Sequence, residues 1–353
     1  MKHGFIATGL AAVVALVGVA SPASASNQHV GSDLLLEDVE LRPGVQSDIH
    51  VRFFSKPHVK CNKNTIVAIH GAAASATSWK PLAEALFDRF PHGQRACRIA
   101  AIELPGHGES PPPDGILYGD LTLEDYATAV RGTLHRLEQL DLRPRTLMGL
   151  SQGGVVLQLV QQQLLDQGSS LREEHGIKRA MLLASVGPQA LPWSFSDSGV
   201  GPALISQLAF AHPTLGTIVD LPPALWVQTV FTNMNGVIAA NAPTPAEVVS
   251  EGYISFESIA ALGGLVGLSP FSRPDVDAEI FAHEHGTKLD VVAFEHDSLV
   301  RPDEKEALYE YLTGEEACDD HFAVVPGEDA VHGMVMSNPD GLIDVLDDQH
   351  MLP

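Results

Sequence analysis

Short strand-like runs alternate with helical ones along this chain, and that alternation restricts the fold more than any other feature. Residues 65–70 and 99–104 are mostly apolar and lead into Gly71 and Pro105-Gly106, the pattern of buried strands. Residues 145–150, 179–185, 289–294 and 322–325 read as further strands. Between them, apolar residues recur at helical spacing: Leu82, Leu86 and Phe87 within 78–90, and Leu123, Tyr126, Val130, Leu134 and Leu137 within 123–140. Residues 153–167, 302–312 and 339–347 supply the remaining helices. Strands that alternate with helices imply an α/β fold, a mostly parallel sheet covered on both faces. Residues 49–54 alternate enough for one more strand, whereas 27–46 mix polar and apolar residues without a clear period.

The alternation breaks once. Residues 186–286 contain no clear strand and hold Pro188, Pro192, Pro202, Pro213, Pro222, Pro223, Pro243 and Pro245, with helical stretches between them. We read 188–286 as a helical cap inserted into a core formed by 26–187 and 287–353. Trp193, Phe195, Phe210, Trp226, Phe231 and Met234 lie in that insertion, as its own core or as the lining of an apolar pocket. Ahead of the core, Lys2 and His3 precede an apolar run from Phe5 to Ala20, followed by Ser21-Pro22-Ala23-Ser24-Ala25-Ser26. This reads as a signal peptide, residues 1–25, cut after Ala25. No later segment reaches 18 uninterrupted apolar residues, so no stable membrane insertion is expected after cleavage. The expected location is secreted or periplasmic.

Charge narrows the partners. The 353 residues carry 21 Lys and Arg against 44 Asp and Glu, a net charge of −23. Nucleic-acid partners need Lys and Arg against phosphate, so none is expected. The three cysteines form no CxxC pair, which leaves no zinc-ribbon pattern. In an oxidising compartment Cys61 and Cys97, each opening a strand, are placed for a disulfide, with Cys318 left over. His283-Glu284-His285 lacks the spacing of a helical metal motif, and no metal is expected.

One motif carries chemistry. Gly149-Leu150-Ser151-Gln152-Gly153 lies between a strand ending at Leu150 and a helix beginning at Gly153. A serine on so sharp a turn projects its hydroxyl above the sheet, and the flanking glycines permit the close backbone approach. After the strand at 65–69, His70-Gly71-Ala72 forms a small-residue loop. The backbone amides of Ala72 and Gln152 are the candidate donors to an oxyanion.

In combination, His70-Gly71, the stretch Leu104-Pro105-Gly106-His107-Gly108-Glu109-Ser110, and Gly149-Leu150-Ser151-Gln152-Gly153 resemble the α/β-hydrolase superfamily, whose order of motifs they follow from about Ile49 to Leu346. That resemblance implies a catalytic acid and then a histidine, in that chain order. Asp297, in Glu295-His296-Asp297 after the strand at 289–294, matches the acid position, with Glu295 as rival. Ser185-Val186-Gly187-Pro188, where some members carry the acid, holds no carboxylate. His332 follows the last strand and matches the histidine position, although Val331 replaces the glycine that often precedes it. The resemblance therefore implies a cofactor-free serine hydrolase with a Ser151–His332–Asp297 triad, acting on a small or medium carboxylic ester or lactone. A carbon–carbon bond hydrolase, a cofactor-free perhydrolase and a non-catalytic receptor are the other readings. The oligomeric state stays open.

Overall fold

The computed structural model describes residues 31–59, 61, 65–72, 74–92, 95–116, 121–191, 273–297, 300–318 and 320–353. The expected signal peptide, the cap residues 192–272 and the cap aromatics lie outside the described residues. Eight strands form one sheet: β1 (Gly31–Arg42), β2 (Val45–Ser55), β3 (Thr65–Ile69), β4 (Arg98–Ile102), β5 (Thr146–Leu150), β6 (Arg179–Leu183), β7 (Lys288–Phe294) and β8 (Phe322–Val325). Their spatial order is β1-β2-β4-β3-β5-β6-β7-β8. β1 and β2 form an antiparallel hairpin, β2 runs antiparallel to β4, and every pairing from β4 to β8 is parallel. The expected α/β class is what the chain adopts.

Seven α-helices accompany the described sheet: α1 (Lys80–Arg89), α2 (Leu123–Gln139), α3 (Gln152–Leu165), α4 (Leu171–His175), α5 (Glu304–Thr313), α6 (Met334–Ser337) and α7 (Pro339–Asp348). Each sheet face buries its own apolar cluster. One joins Val67, Ile69, Ala100 and Leu147 to Tyr126, Val130 and Leu134 of α2 and to Val156 and Val160 of α3. The other joins Ile66, Ala68, Ile99 and Met148 to Leu82, Leu86 and Phe87 of α1 and to Leu342, Ile343 and Leu346 of α7. Side chains alternate between faces along a strand, so a strand feeding both clusters must be apolar at every position.

Local chemistry sets the element ends. α2 opens with a reciprocal capping box: the Thr122 hydroxyl accepts from the Asp125 amide, and the Asp125 carboxylate accepts from the Thr122 amide. The helix expected from residue 78 starts instead with a 3₁₀ turn, Ala76–Trp79, capped by Ser75, because Pro81 lacks the amide a helix interior needs and sits in the first turn of α1. Cys61 and Cys97 form the expected disulfide, which ties the approach to β3 to the start of β4, with Cα atoms 5.6 Å apart. Cys318 is a free, exposed thiol. No described helix is long and apolar enough to cross a membrane.

Candidate active site

The chain winds from β3 outward to β4, then returns across β3 to place β5 on its other side. Loops leaving the carboxyl ends of β3 and β5 therefore diverge and open a crevice, the usual ligand position in such sheets. Ser151 follows β5 at this crevice. Its backbone is at φ 52°, ψ −115°, a region that L residues avoid. The strain is held by its neighbours. The Ser151 amide donates to the Leu183 carbonyl at 2.8 Å, and its own carbonyl accepts from Gly154 at 3.0 Å. A Cβ on Gly149 would overlap the Gly153 backbone, and one on Gly153 would overlap the Ile69 carbonyl. The motif's glycines are thus required by contact between β5, α3 and β3.

Gly71 lies directly against the serine: a Cβ there would sit 3.3 Å from the Ser151 Cβ. The next residue is Ala72, and the loop closes with the Ala74 amide on the Gly71 carbonyl at 3.2 Å. Among the described residues, neither the Ala72 nor the Gln152 amide donates to a protein acceptor. Gln152 is the first residue of α3, where backbone amides have no partner within the helix and the helix dipole favours negative charge.

His70 is fully buried and spends both ring nitrogens on backbone. Nδ1 donates to the Gly71 carbonyl at 2.8 Å, and Nε2 accepts from the Leu104 amide at 3.1 Å. Its ring lies 4.9 Å from that of His107, which is also fully buried and packs edge-on to Tyr126. Burial, with the neighbouring His107, drives the His70 pKa down to about 3, and burial takes His107 to about 4. Both are neutral framework residues.

Asp297 and His332 meet across the ends of β7 and β8. His332 Nδ1 donates to Asp297 Oδ2 at 2.8 Å, and Asp297 Oδ1 accepts from the Val300 amide at 2.9 Å. Both side chains are buried, and a neutral ring that donates through Nδ1 presents Nε2 as an acceptor. Glu295 is exposed and accepts from the Gly327 amide at 2.8 Å, so the rival carboxylate pins the loop after β8 instead.

Sequence reasoning missed two charged groups here. Lys305, only 1 % exposed, shares the buried stripe of α5 with Leu308, Tyr309 and Leu312. Its place at helical spacing from those residues was the available signal. Burial lowers its pKa to about 8, although Asp297 and Glu304 act in the opposite direction. The other is Glu103, buried just past the end of β4, where burial raises the carboxyl pKa. Arg273 folds back onto the carbonyls of Gly187, Pro188 and Leu191, so this basic residue clasps the neck of the insertion.

Residues 66–345 match the model of the alpha/beta hydrolase family. The chain belongs to that family. No curated protein sequence matches it. Among solved structures, this alpha/beta hydrolase is similar to the naproxen esterase (carboxylesterase NP) of Bacillus subtilis, at 14% identity and TM-score 0.54 over 91% of this chain and 92% of the other. It is similar to the esterase RhEst1 of Rhodococcus sp. ECU1013, at 17% identity and TM-score 0.56 over 90% and 99%. The epoxide hydrolase CorEH gives 14% identity and TM-score 0.57 over 91% and 99%. At such identities these likenesses establish a common fold.

Among the described residues, Asp33, His50 and Glu109 could bring metal-binding atoms within 4.8 Å of one another. Arg52 already holds both carboxylates, with Nε on Asp33 at 3.0 Å and Nη2 on Glu109 at 2.9 Å. A cation would have to displace that guanidinium. The His283-Glu284-His285 turn is a short 3₁₀ segment with no buried residue.

Proposed function

We propose that this alpha/beta hydrolase is a secreted serine hydrolase cleaving a small or medium carboxylic ester or lactone through Ser151, His332 and Asp297. The reading is supported by the shared carboxyl edge of the parallel strands, which carries a serine on a strained elbow and an uncommitted amide after β5, a second such amide after β3, and a buried imidazole–carboxylate pair after β7 and β8.

A serine hydroxyl is a weak nucleophile at its own pKa. His332 Nε2 takes its proton as Ser151 Oγ attacks the carbonyl carbon, and Asp297 holds the imidazole's tautomer and stabilises the imidazolium. The Ala72 and Gln152 amides receive the oxyanion, each worth about 2.7–4 kcal/mol of barrier by analogy with measured cases. Collapse of the tetrahedral species transfers the proton from His332 to the leaving alcohol and leaves an acyl-serine. Water, deprotonated by His332, then releases the acid and restores the serine. In this reading a signal peptide delivers the chain to the oxidising compartment where the Cys61–Cys97 disulfide forms.

Arg273, the sole Lys or Arg in residues 186–286, is committed to backbone carbonyls, which argues against its use as a clamp for a substrate carboxylate and so against a carbon–carbon bond hydrolase acting on a diketone-type acid. The test is turnover of p-nitrophenyl acetate, butyrate and octanoate by the mature protein and by Ser151→Ala, with intact mass after a fluorophosphonate probe. Turnover abolished in the variant, with one adduct on the wild type, is the expected result. Folded protein with neither label nor turnover refutes the mechanism.

A further inference from the structure

Two neighbouring loops meet beside the crevice: the one after β3, which carries Ala72, and residues 103–110 after β4. One carboxylate joins them. Glu103 Oε1 accepts from the Ala76 amide at 3.2 Å, and Oε2 accepts from the Glu109 amide at 2.6 Å. The fit is close, because a Cβ on Gly108 would overlap this carboxylate. His70 stitches the same loops a second time, through Gly71 and Leu104. The loop bearing Ala72 is therefore fixed at Gly71 by an imidazole and at Ala76 by a carboxylate.

Both oxygens of Glu103 face backbone N–H donors, so both must be acceptors. The ionised form meets that requirement best, because protonation leaves a carboxyl with less acceptor capacity. A proton on either oxygen weakens that oxygen as an acceptor and loosens its bond to the loop. Burial favours that proton. The Glu109 amide, Arg52, His50 and the Ala76 amide oppose it, in that order. The titratable and charged groups around Glu103 are His50 and Arg52 from β2, Glu109 from its own loop, and Asp33 from β1, which bonds Arg52.

We propose that Glu103 is a positioning residue: its ionised carboxylate holds the Ala72 amide against the developing oxyanion, and protonation or loss of that carboxylate lowers kcat without weakening substrate binding. The proposal rests on the reading of Ser151 as nucleophile and Ala72 as oxyanion donor. A donor displaced from the oxyanion's position loses transition-state stabilisation that the ground-state ester never used.

The experiment measures kcat and KM for p-nitrophenyl butyrate from pH 4.5 to 8 on wild type, Glu103→Gln and Ala76→Pro. Gln keeps the shape but offers one acceptor oxygen, with its NH2 against the second amide. Pro at residue 76 removes the donor and leaves the acid intact. It suits the first position of the 3₁₀ turn, where Ser75 ahead of it is already extended at φ −135°, ψ 172°. We expect kcat to fall about tenfold or more in both variants, with KM within about twofold. The ratio of wild-type to Glu103→Gln kcat should shrink as pH falls, because burial favours the proton on Glu103 and the protonated wild type suffers the same loss. Wild-type kcat in either folded variant, a change confined to KM, or a kcat ratio that stays constant as pH falls would overturn the proposal. If Glu103→Gln does not fold, Ala76→Pro decides by its kcat. Wild type without ester turnover would instead refute the hydrolase reading beneath it.

Discussion

Acid should unfold this protein through two histidines that stay neutral in the folded state well below the ordinary imidazole range. His70 and His107 are fully buried, with pKa values near 3 and 4 against 6.5 for an exposed imidazole. As pH falls through 6.5, the unfolded chain binds a proton at each ring and the folded chain binds none, so stability is lost with falling pH. By pH 5 each ring costs about 2 kcal/mol, together about 4 kcal/mol of the ~5–15 that hold a domain. The decline approaches about 3 kcal/mol per pH unit until the folded rings take up protons, His107 before His70. Glu103 and Asp290 act in the opposite sense: burial raises both carboxyl pKa values, so acid relieves part of their cost. A variant isolates the imidazoles. His107→Asn keeps a donor for the Pro105 carbonyl, which His107 Nδ1 reaches at 3.2 Å, and removes the titration. Urea unfolding from pH 7.5 to 4.5 should show wild type losing stability more steeply than His107→Asn, by about 1.4 kcal/mol per pH unit below pH 6. Parallel pH profiles, or a His107 ring resonance titrating near 6.5 in the folded protein, would refute the reasoning.

Three further outcomes follow from contacts already described. Gly153→Ala should destabilise by about 3 kcal/mol or more, because its Cβ meets strand backbone that cannot yield, whereas Gly71→Ala should fold and lose kcat; denaturation and ester kinetics separate the two. Removing the disulfide with Cys61→Ala and Cys97→Ala, a span of 36 residues, should cost about 4 kcal/mol in urea unfolding. Lys305→Met should stabilise at pH 7 by up to about 3 kcal/mol, since burial opposes the lysine charge; the advantage should shrink from pH 8 to 10.5 as the wild-type lysine loses its proton.

The central sheet was legible because β3 to β7 feed two apolar clusters and leave little room for polar residues. β1 was not legible. It is an edge strand whose Asp33, Glu37, Asp38 and Glu40 face solvent, interrupted by register shifts between Leu36 and Val39 and between Glu40 and Arg42. α4, five residues long, is shorter than the window in which a helical period shows. At the site, the Ser151 motif is local and could be read directly. Asp297 and His332 were placed by resemblance, and their 2.8 Å contact is a property of the fold alone. Glu103 was invisible as a functional residue because its partners are backbone amides, which have no sequence signature.

The position of β8 bears on how the protein fails under heat. Ser151 is rooted between β3 and β6 in the middle of the sheet, whereas His332 hangs from the loop after β8. That strand has four residues and, among the described strands, pairs with β7 alone. An outer strand so short can fray while the centre stays intact. Under the proposed mechanism, catalytic inactivation on warming should precede the loss of bulk secondary structure, and should reverse on cooling as long as β8 re-zips onto β7.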